Sequence, residues 1–216
     1  MPSPTDASIL VCFAVKEEAA PFRRSLPAEV ETVVTGMGKL AAERAVTSVL
    51  GQRKWNLVLT CGFAGGLNPA LRPETVVFEA DASFPLRQAL LDSGAVAASF
   101  HCAERVAVTA GEKAALRERT GADAVEMESG VIRRLCHERG LLSATVRVIS
   151  DAAHEDMPLD FNTLVRPDGL IHTGKLARTV LRRPHKIPAL IALGTRTKSA
   201  AARLAAILRA VLELPR

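Results

Sequence analysis

Short runs of branched aliphatic residues alternate along this chain with stretches of helical spacing, and that alternation restricts the fold more than any other feature. ILVCFAV (9–15), VETVVT (30–35), LVLTC (57–61) and TVRVIS (145–150) read as strands, with further candidates at 75–79 and 105–109. Residues 17–25, 39–51 and 112–119 read as helices, and Leu40, Ala41, Ala45, Val49 and Leu50 form the apolar side of the second. ADAVEME (122–128) is a short apolar run feeding a helix that stops at Gly140, a residue able to take the positive φ that ends helices. A last helix over 199–213 carries Leu204, Ile207, Leu208 and Val211 on one face. Strands alternating with helices need crossover connections, which make strands parallel and cover both faces of the sheet. The expectation is an α/β fold. It is one domain over 1–216, a three-layer sandwich with a mostly parallel central mixed sheet flanked by helices and a helical C-terminal extension from about 160.

Composition narrows the function. With 216 residues the chain suits one large domain. One Trp and no Tyr imply an aliphatic core and count against single-strand nucleic acid, which binds by stacking on aromatics. No nucleic-acid partner is expected. The formal charge is +5, and the basic residues cluster late: Arg178, Arg182, Arg183, His185, Lys186, Arg196, Lys198 and Arg203. Such a cluster suits phosphate groups, an anionic membrane surface touched peripherally, or simply a solvated helical face. Cys12, Cys61, Cys102 and Cys136 form no CxxC pair and no zinc spacing, so no metal is expected. The apolar run 9–15 is too short for a signal peptide and nothing approaches a membrane span, which implies a reducing, cytoplasmic location.

Two glycine segments stand out. GMGKLA (36–41) matches the dinucleotide pattern G-x-G-x-x-A but lacks an acidic residue about 20 positions on, where LVLTC is uncharged. Its Gly38 and Lys39 are instead candidates for binding a smaller anion. CGFAGG (61–66) reads as a glycine turn at the end of the third strand, where ligands bind in open α/β sheets. Carboxylates gather at the same edge. Asp151 ends the strand TVRVIS, where burial can make a carboxyl group carry a proton near neutrality, though turn and cap aspartates are common. Glu128 sits where an apolar run meets a helix, placed either for a pair of vicinal hydroxyls or for the helix dipole, while Glu126 projects elsewhere. Glu17 and Glu18 follow the first strand.

AVKEEAAPF, VVTGMGKLAAERA, LTCGFAGGL, AVEMESGVI and VRVISDAAHED, in that order, resemble the nucleoside phosphorylase-I superfamily, which includes purine nucleoside phosphorylases and methylthioadenosine/S-adenosylhomocysteine nucleosidases. PLDFN, PDG and the Leu/Arg-rich end resemble its hopanoid-associated phosphorylase branch, implicated in removing adenine from an adenosyl lipid. The resemblance implies roles. Asp151 would be the general acid at purine N7, and Glu18 would orient attacking water. Glu128 would hold the ribose hydroxyls, with Met127 beneath the sugar and Ser150 also binding substrate. Gly62, Phe63 and Ala64 would line the base and ribose pocket. It also implies a homodimer, no cofactor and phosphate as a candidate co-substrate. Two departures bear on the last point: Phe63 stands where the nucleosidases have Ser, and the family's phosphate-binding Arg before the glycine segment is missing. The segment from about 79 to 105 is short, which implies a trimmed substrate-covering loop.

The expected activity is N-glycosidic cleavage of a purine nucleoside, adenine favoured, by water or phosphate, on a free or lipid-linked substrate. The alternative is a non-catalytic nucleoside-binding or regulatory protein on the same fold. Asp151→Asn is expected to lower kcat by about 10²-fold or more with little effect on folding.

Overall fold

A computed structural model describes residues 8–166 and 169–213. Its centre is an eight-stranded mixed sheet. The strands are β1 (Ile9–Phe13), β2 (Val30–Val34), β3 (Leu57–Gly66), β4 (Val76–Glu79), β5 (Val96–Ala97), β6 (Phe100–Cys102), β7 (Ala124–Glu126) and β8 (Leu142–Asp151). The main order is β2-β1-β3-β8-β4-β5. β1, β2, β3 and β8 run parallel, and β4 pairs antiparallel with β8. β7 branches off, antiparallel to the end of β3 and parallel to β6. Every residue of β1 is buried, as expected for a central strand covered on both faces.

The helices are α1 (Lys16–Arg23), α2 (Lys39–Leu50), α3 (Arg87–Asp92), α4 (Ala110–Thr120), α5 (Ser129–His137), α6 (Thr173–Arg182) and α7 (Ile187–Leu212). Val11, Phe13, Leu59, Val146 and Val148 point to one sheet face and meet Phe22 of α1, Leu90 of α3 and Leu204 and Leu208 of α7. Leu10, Cys12 and Val58 point to the other and meet Val46 of α2 with Ile132 and Leu135 of α5. The period-two alternation of strand side chains thus divides the core between two helical layers, giving the expected three-layer α/β sandwich.

Three expectations need correction. The CGFAGG segment is no turn: β3 continues through it to Gly66, paired with β8 as far as Gly65 and with β7 at Gly65 and Gly66. Residues 105–109 form no strand. Asn162 takes both backbone groups of Val106, accepting from its N–H at 2.8 Å and donating to its carbonyl at 3.0 Å, so a side-chain amide replaces a ladder partner there. The final helix begins at Ile187 rather than near 199. Between 79 and 105 the chain builds α3, β5 and β6, elements too short to show a period. Pro167 and Asp168 of the PDG stretch lie outside the described residues. No helix among the described residues is long and apolar enough to cross a membrane.

Candidate active site

The carboxyl ends of β1, β3, β7 and β8 converge on one cavity of about 640 Å³. Each end presents its chemistry for a local reason. After β1, the third residue of α1 is Glu18, whose Oε2 reaches back to accept from the N–H groups of Ala14 (2.9 Å) and Val15 (3.1 Å). The Val15 N–H is one that a helix start leaves unpaired. Its Oε1 accepts from the Phe63 N–H at 2.8 Å. Glu18 is therefore buried at the cavity wall and held by three backbone donors. Burial pushes its carboxyl up from the ordinary range, against the pull of Arg147 and those N–H groups.

At the end of β7, Glu126 accepts from the N–H groups of Glu128 (3.0 Å) and Ser129 (2.7 Å) and from the Ser129 hydroxyl (2.6 Å). It thereby caps the start of α5 and frees Glu128 to face the cavity. Glu126 does not project elsewhere, as the sequence reading held; it lines the same cavity. Glu128 Oε1 accepts from the Gly38 N–H at 2.8 Å. The anion held by that glycine segment is thus the protein's own carboxylate. Lys39 pairs with Glu104 at 3.7 Å, so neither Gly38 nor Lys39 is arranged as the anticipated anion site, and neither lines the cavity.

Arg147, in the middle of β8, binds this cluster together. Its guanidinium is 1% exposed and donates to Glu126 at 2.7 Å, Glu128 at 3.3 Å, Thr60 Oγ1 at 3.1 Å and the Cys61 carbonyl at 3.1 Å. Gly62 makes room for it. A Cβ there would lie 2.6 Å from Glu18 Oε1 and 2.7 Å from Arg147 Nη1, and φ is +143°. Gly62 therefore stands behind the wall instead of lining it, whereas Phe63 and Ala64 do line the cavity. Burial alone would raise Glu126, but Arg147 and the Ser129 hydrogen bonds outweigh it and hold its carboxyl low. Burial raises Glu128 to about 7; Arg147 opposes the rise, and Glu126 and Glu18 add to it. Three buried carboxylates around one guanidinium make this wall a place for positive charge.

On β8 the pairing with β3 skips Ser150, so that Ala64 faces Ile149 and Gly65 faces Asp151. Such a bulge re-aims side chains. Ser150 Oγ lies 2.6 Å from Asp151 Oδ1 and 3.2 Å from the Ala64 carbonyl. Asp151 Oδ2 accepts from Lys113 of α4, which is 0% exposed and also donates to the carbonyls of Ala152 and Glu155, both at 2.8 Å. All three ammonium protons are thereby used.

The structure brings Glu18, Met127, Glu128, Phe63, Ala64, Ser150 and Asp151 to one cavity. The sequence reading missed Arg147 and Lys113. Arg147 carried a signal, since a charged residue inside TVRVIS must be paired if the strand is central. Lys113 carried none, because a lysine early in a polar helix normally faces water. The rest of the cavity is mostly apolar, lined among others by Val106, Phe161, Leu176, Val180, Ile187 and Leu190, with Glu17, Arg105 and Thr197 its polar exceptions.

The sequence model of the phosphorylase superfamily matches residues 79–182. Among solved structures, the chain is similar to the futalosine hydrolase of Helicobacter pylori strain 26695 at 15% identity. That match covers 98% of this chain and 99% of the other, with a TM-score of 0.70. It is similar to the S-adenosylhomocysteine nucleosidase of Streptococcus pyogenes in complex with 5-methylthiotubericidin at 16% identity, over 100% of each chain, with a TM-score of 0.73. The 5'-methylthioadenosine/S-adenosylhomocysteine nucleosidase of Neisseria meningitidis, in complex with methylthio-immucillin-A, matches at 18% identity over 95% of this chain and 98% of the other, with a TM-score of 0.69. At these identities the likeness is one of fold.

Proposed function

Starting from a chain of the phosphorylase superfamily, we propose that it cleaves the N-glycosidic bond of a purine nucleoside, adenine the favoured base, with water as nucleophile. One observation carries the reading. Glu18, Glu126 and Glu128 surround the single Arg147 guanidinium on one wall of the cavity that also holds Asp151. Cleavage passes through a sugar with oxocarbenium character, so a catalyst must stabilise positive charge there and neutralise the departing base. The carboxylate wall suits the first task. We assign the second to Asp151, which would share a proton with N7 through Oδ1 while Oδ2 stays hydrogen-bonded to Lys113 and the Ser150 hydroxyl turns to the Ala64 carbonyl. Glu128 accepts from the ribose hydroxyls above Met127. Glu18 has accepting capacity left on Oε1 and a raised proton affinity, which suits a base that removes a proton from water.

Water is favoured over phosphate because an attacking phosphate needs cations and several N–H donors. Arg147 is spent on the wall, and the Gly38 N–H on Glu128. Among the described lining residues Arg105 is the one Lys or Arg, and it is mostly exposed and paired with Glu112. The apolar part of the cavity favours a substrate with a large apolar 5′ substituent, such as the adenosyl lipid implied by the hopanoid-associated branch.

The test is a substrate panel: adenosine, inosine, methylthioadenosine and adenosine bearing long 5′ alkyl groups, each with and without phosphate. Free base should appear without phosphate, and kcat/KM should rise with the apolar chain. Sugar 1-phosphate formed only with added phosphate would overturn the hydrolytic reading. A flat response to the 5′ group would overturn the apolar substrate.

A further inference from the structure

From Gly169 to Leu212 the chain contains no Asp or Glu, yet it carries Lys175, Arg178, Arg182, Arg183, Lys186, Arg196, Lys198, Arg203 and Arg209. Two of these have internal work. Arg196 pairs with Glu155 at 2.7 Å, and Arg209 donates to the Pro21 carbonyl at 2.9 Å. Lys175, Arg178, Arg182 and Arg183 are exposed on and just after α6, beside the turn into α7.

The same tip exposes large aliphatic side chains. Leu181 is 82% exposed, Ile191 65% and Ile187 39%, and α6 contains no buried residue. An amphipathic helix with nothing buried gains little from folding onto its own domain. Apolar side chains interleaved with charges of one sign match a surface that is apolar a few ångströms below an anionic layer. A partner protein would need carboxylates facing this patch, and a second copy meeting it through the same 169–212 segment offers none. Nucleic acid would satisfy the arginines but leave the aliphatic residues against water.

We propose that the tip formed by the end of α6 and the start of α7 docks on an anionic lipid bilayer. Leu181 and the exposed isoleucines enter the headgroup region, and Arg178, Arg182 and Arg183 lie among the headgroups. The position of the cavity gives this docking a use. Leu176 and Val180 of α6 and Ile187, Leu190 and Ile191 of α7 line its apolar end, so the docked tip would present that end to the membrane. This rests on the reading that the site takes a substrate with an apolar arm.

The test is co-sedimentation with vesicles of phosphatidylcholine alone and with about one third phosphatidylglycerol. The wild-type chain should pellet with the anionic vesicles at low salt and not with the neutral ones. Each basic side chain near such a surface strengthens binding about fivefold, so replacing Arg178, Arg182 and Arg183 together by Ser should weaken it on the order of 10²-fold. Leu181→Glu should also release the protein, including at low salt. None of these four residues lines the main cavity, so turnover of a soluble nucleoside should stay at the wild-type level while turnover of a vesicle-borne lipid nucleoside falls. Equal binding to neutral vesicles, no vesicle binding, or unchanged binding by the triple variant would overturn the proposal. So would Leu181→Glu converting a dimer to a monomer, or salt-sensitive binding to nucleic acid in place of vesicles. Absence of any glycosidic cleavage would sink the catalytic reading but leave the vesicle result standing.

Discussion

At the residue scale, the site is governed by which buried charges have partners. Among the described residues Asp151 is the one carboxylate that Lys113 touches, so replacing either one leaves the other's buried charge without its partner. This corrects the expectation that Asp151→Asn leaves folding unaffected. The single variant should lose about 10²-fold or more in kcat and also about 3–5 kcal/mol of stability. The double variant Asp151→Asn with Lys113→Met should regain much of the stability and none of the activity. Thermal melts and initial rates on the same samples check both statements, and a single variant as stable as wild type would show that the pair matters little.

Glu128 gives the second prediction. Its folded-state value is raised to about 7, from an ordinary 4.5. Below the lower value both folded and unfolded chains hold the proton, and there is no penalty. Between the two, the unfolded chain releases a proton that the folded chain keeps, so stability falls as pH rises. Above about 7 the penalty is complete. Glu128→Gln removes this term, so the Tm of the variant relative to wild type should increase from about pH 5 to about pH 8. Catalysis has the opposite sign, because an ionised Glu128 is the better acceptor for ribose hydroxyls. Wild-type kcat/KM should therefore fall as pH drops below about 7, and the Gln variant should be weak throughout.

At the scale of elements, β8 organises the site, carrying Arg147 in its middle and the Ser150 bulge and Asp151 at its end. Arg147→Met would leave Glu18, Glu126 and Glu128 crowded with no cation, and should cost about 3–5 kcal/mol or prevent folding near neutral pH. Recovery of folding at acidic pH, where the carboxylates are protonated, would be the accompanying sign; a variant equally stable at both pH values would contradict the account. The central strands and main helices were legible because their hydrophobic periods are long enough to read. What escaped detection depends on tertiary partners. Glycines in β3 read as a turn, but β8 and β7 supply ladder partners and Glu18 and Arg147 fill the space a side chain would take. Residues 105–109 read as a strand, but the distant Asn162 takes the hydrogen bonds. At the site, the residues ending strands were visible as motifs. The burial of Lys113 and the use of Gly38 on Glu128 depend on contacts between remote segments, which no spacing reveals; the cap made by Glu126 is local, to Glu128 and Ser129, and depends on which way the Glu126 side chain turns at the end of β7.

At the scale of the whole molecule, a polar chamber formed by the sheet edge opens into an apolar vestibule formed by the C-terminal helices. On the proposed reading, the chamber serves glycosidic chemistry and the vestibule sets selectivity at the far end of the sugar. Release of free purine is the direct sign of bond cleavage. The purified protein is incubated with methylthioadenosine or a 5′-alkyl adenosine in phosphate-free buffer, and base and sugar are separated by chromatography. The account predicts free adenine with an equal amount of free sugar, at a rate lowered about 10²-fold or more in the Asp151→Asn/Lys113→Met protein. An intact nucleoside after incubation with stoichiometric protein, or equal release by the double variant, would contradict it.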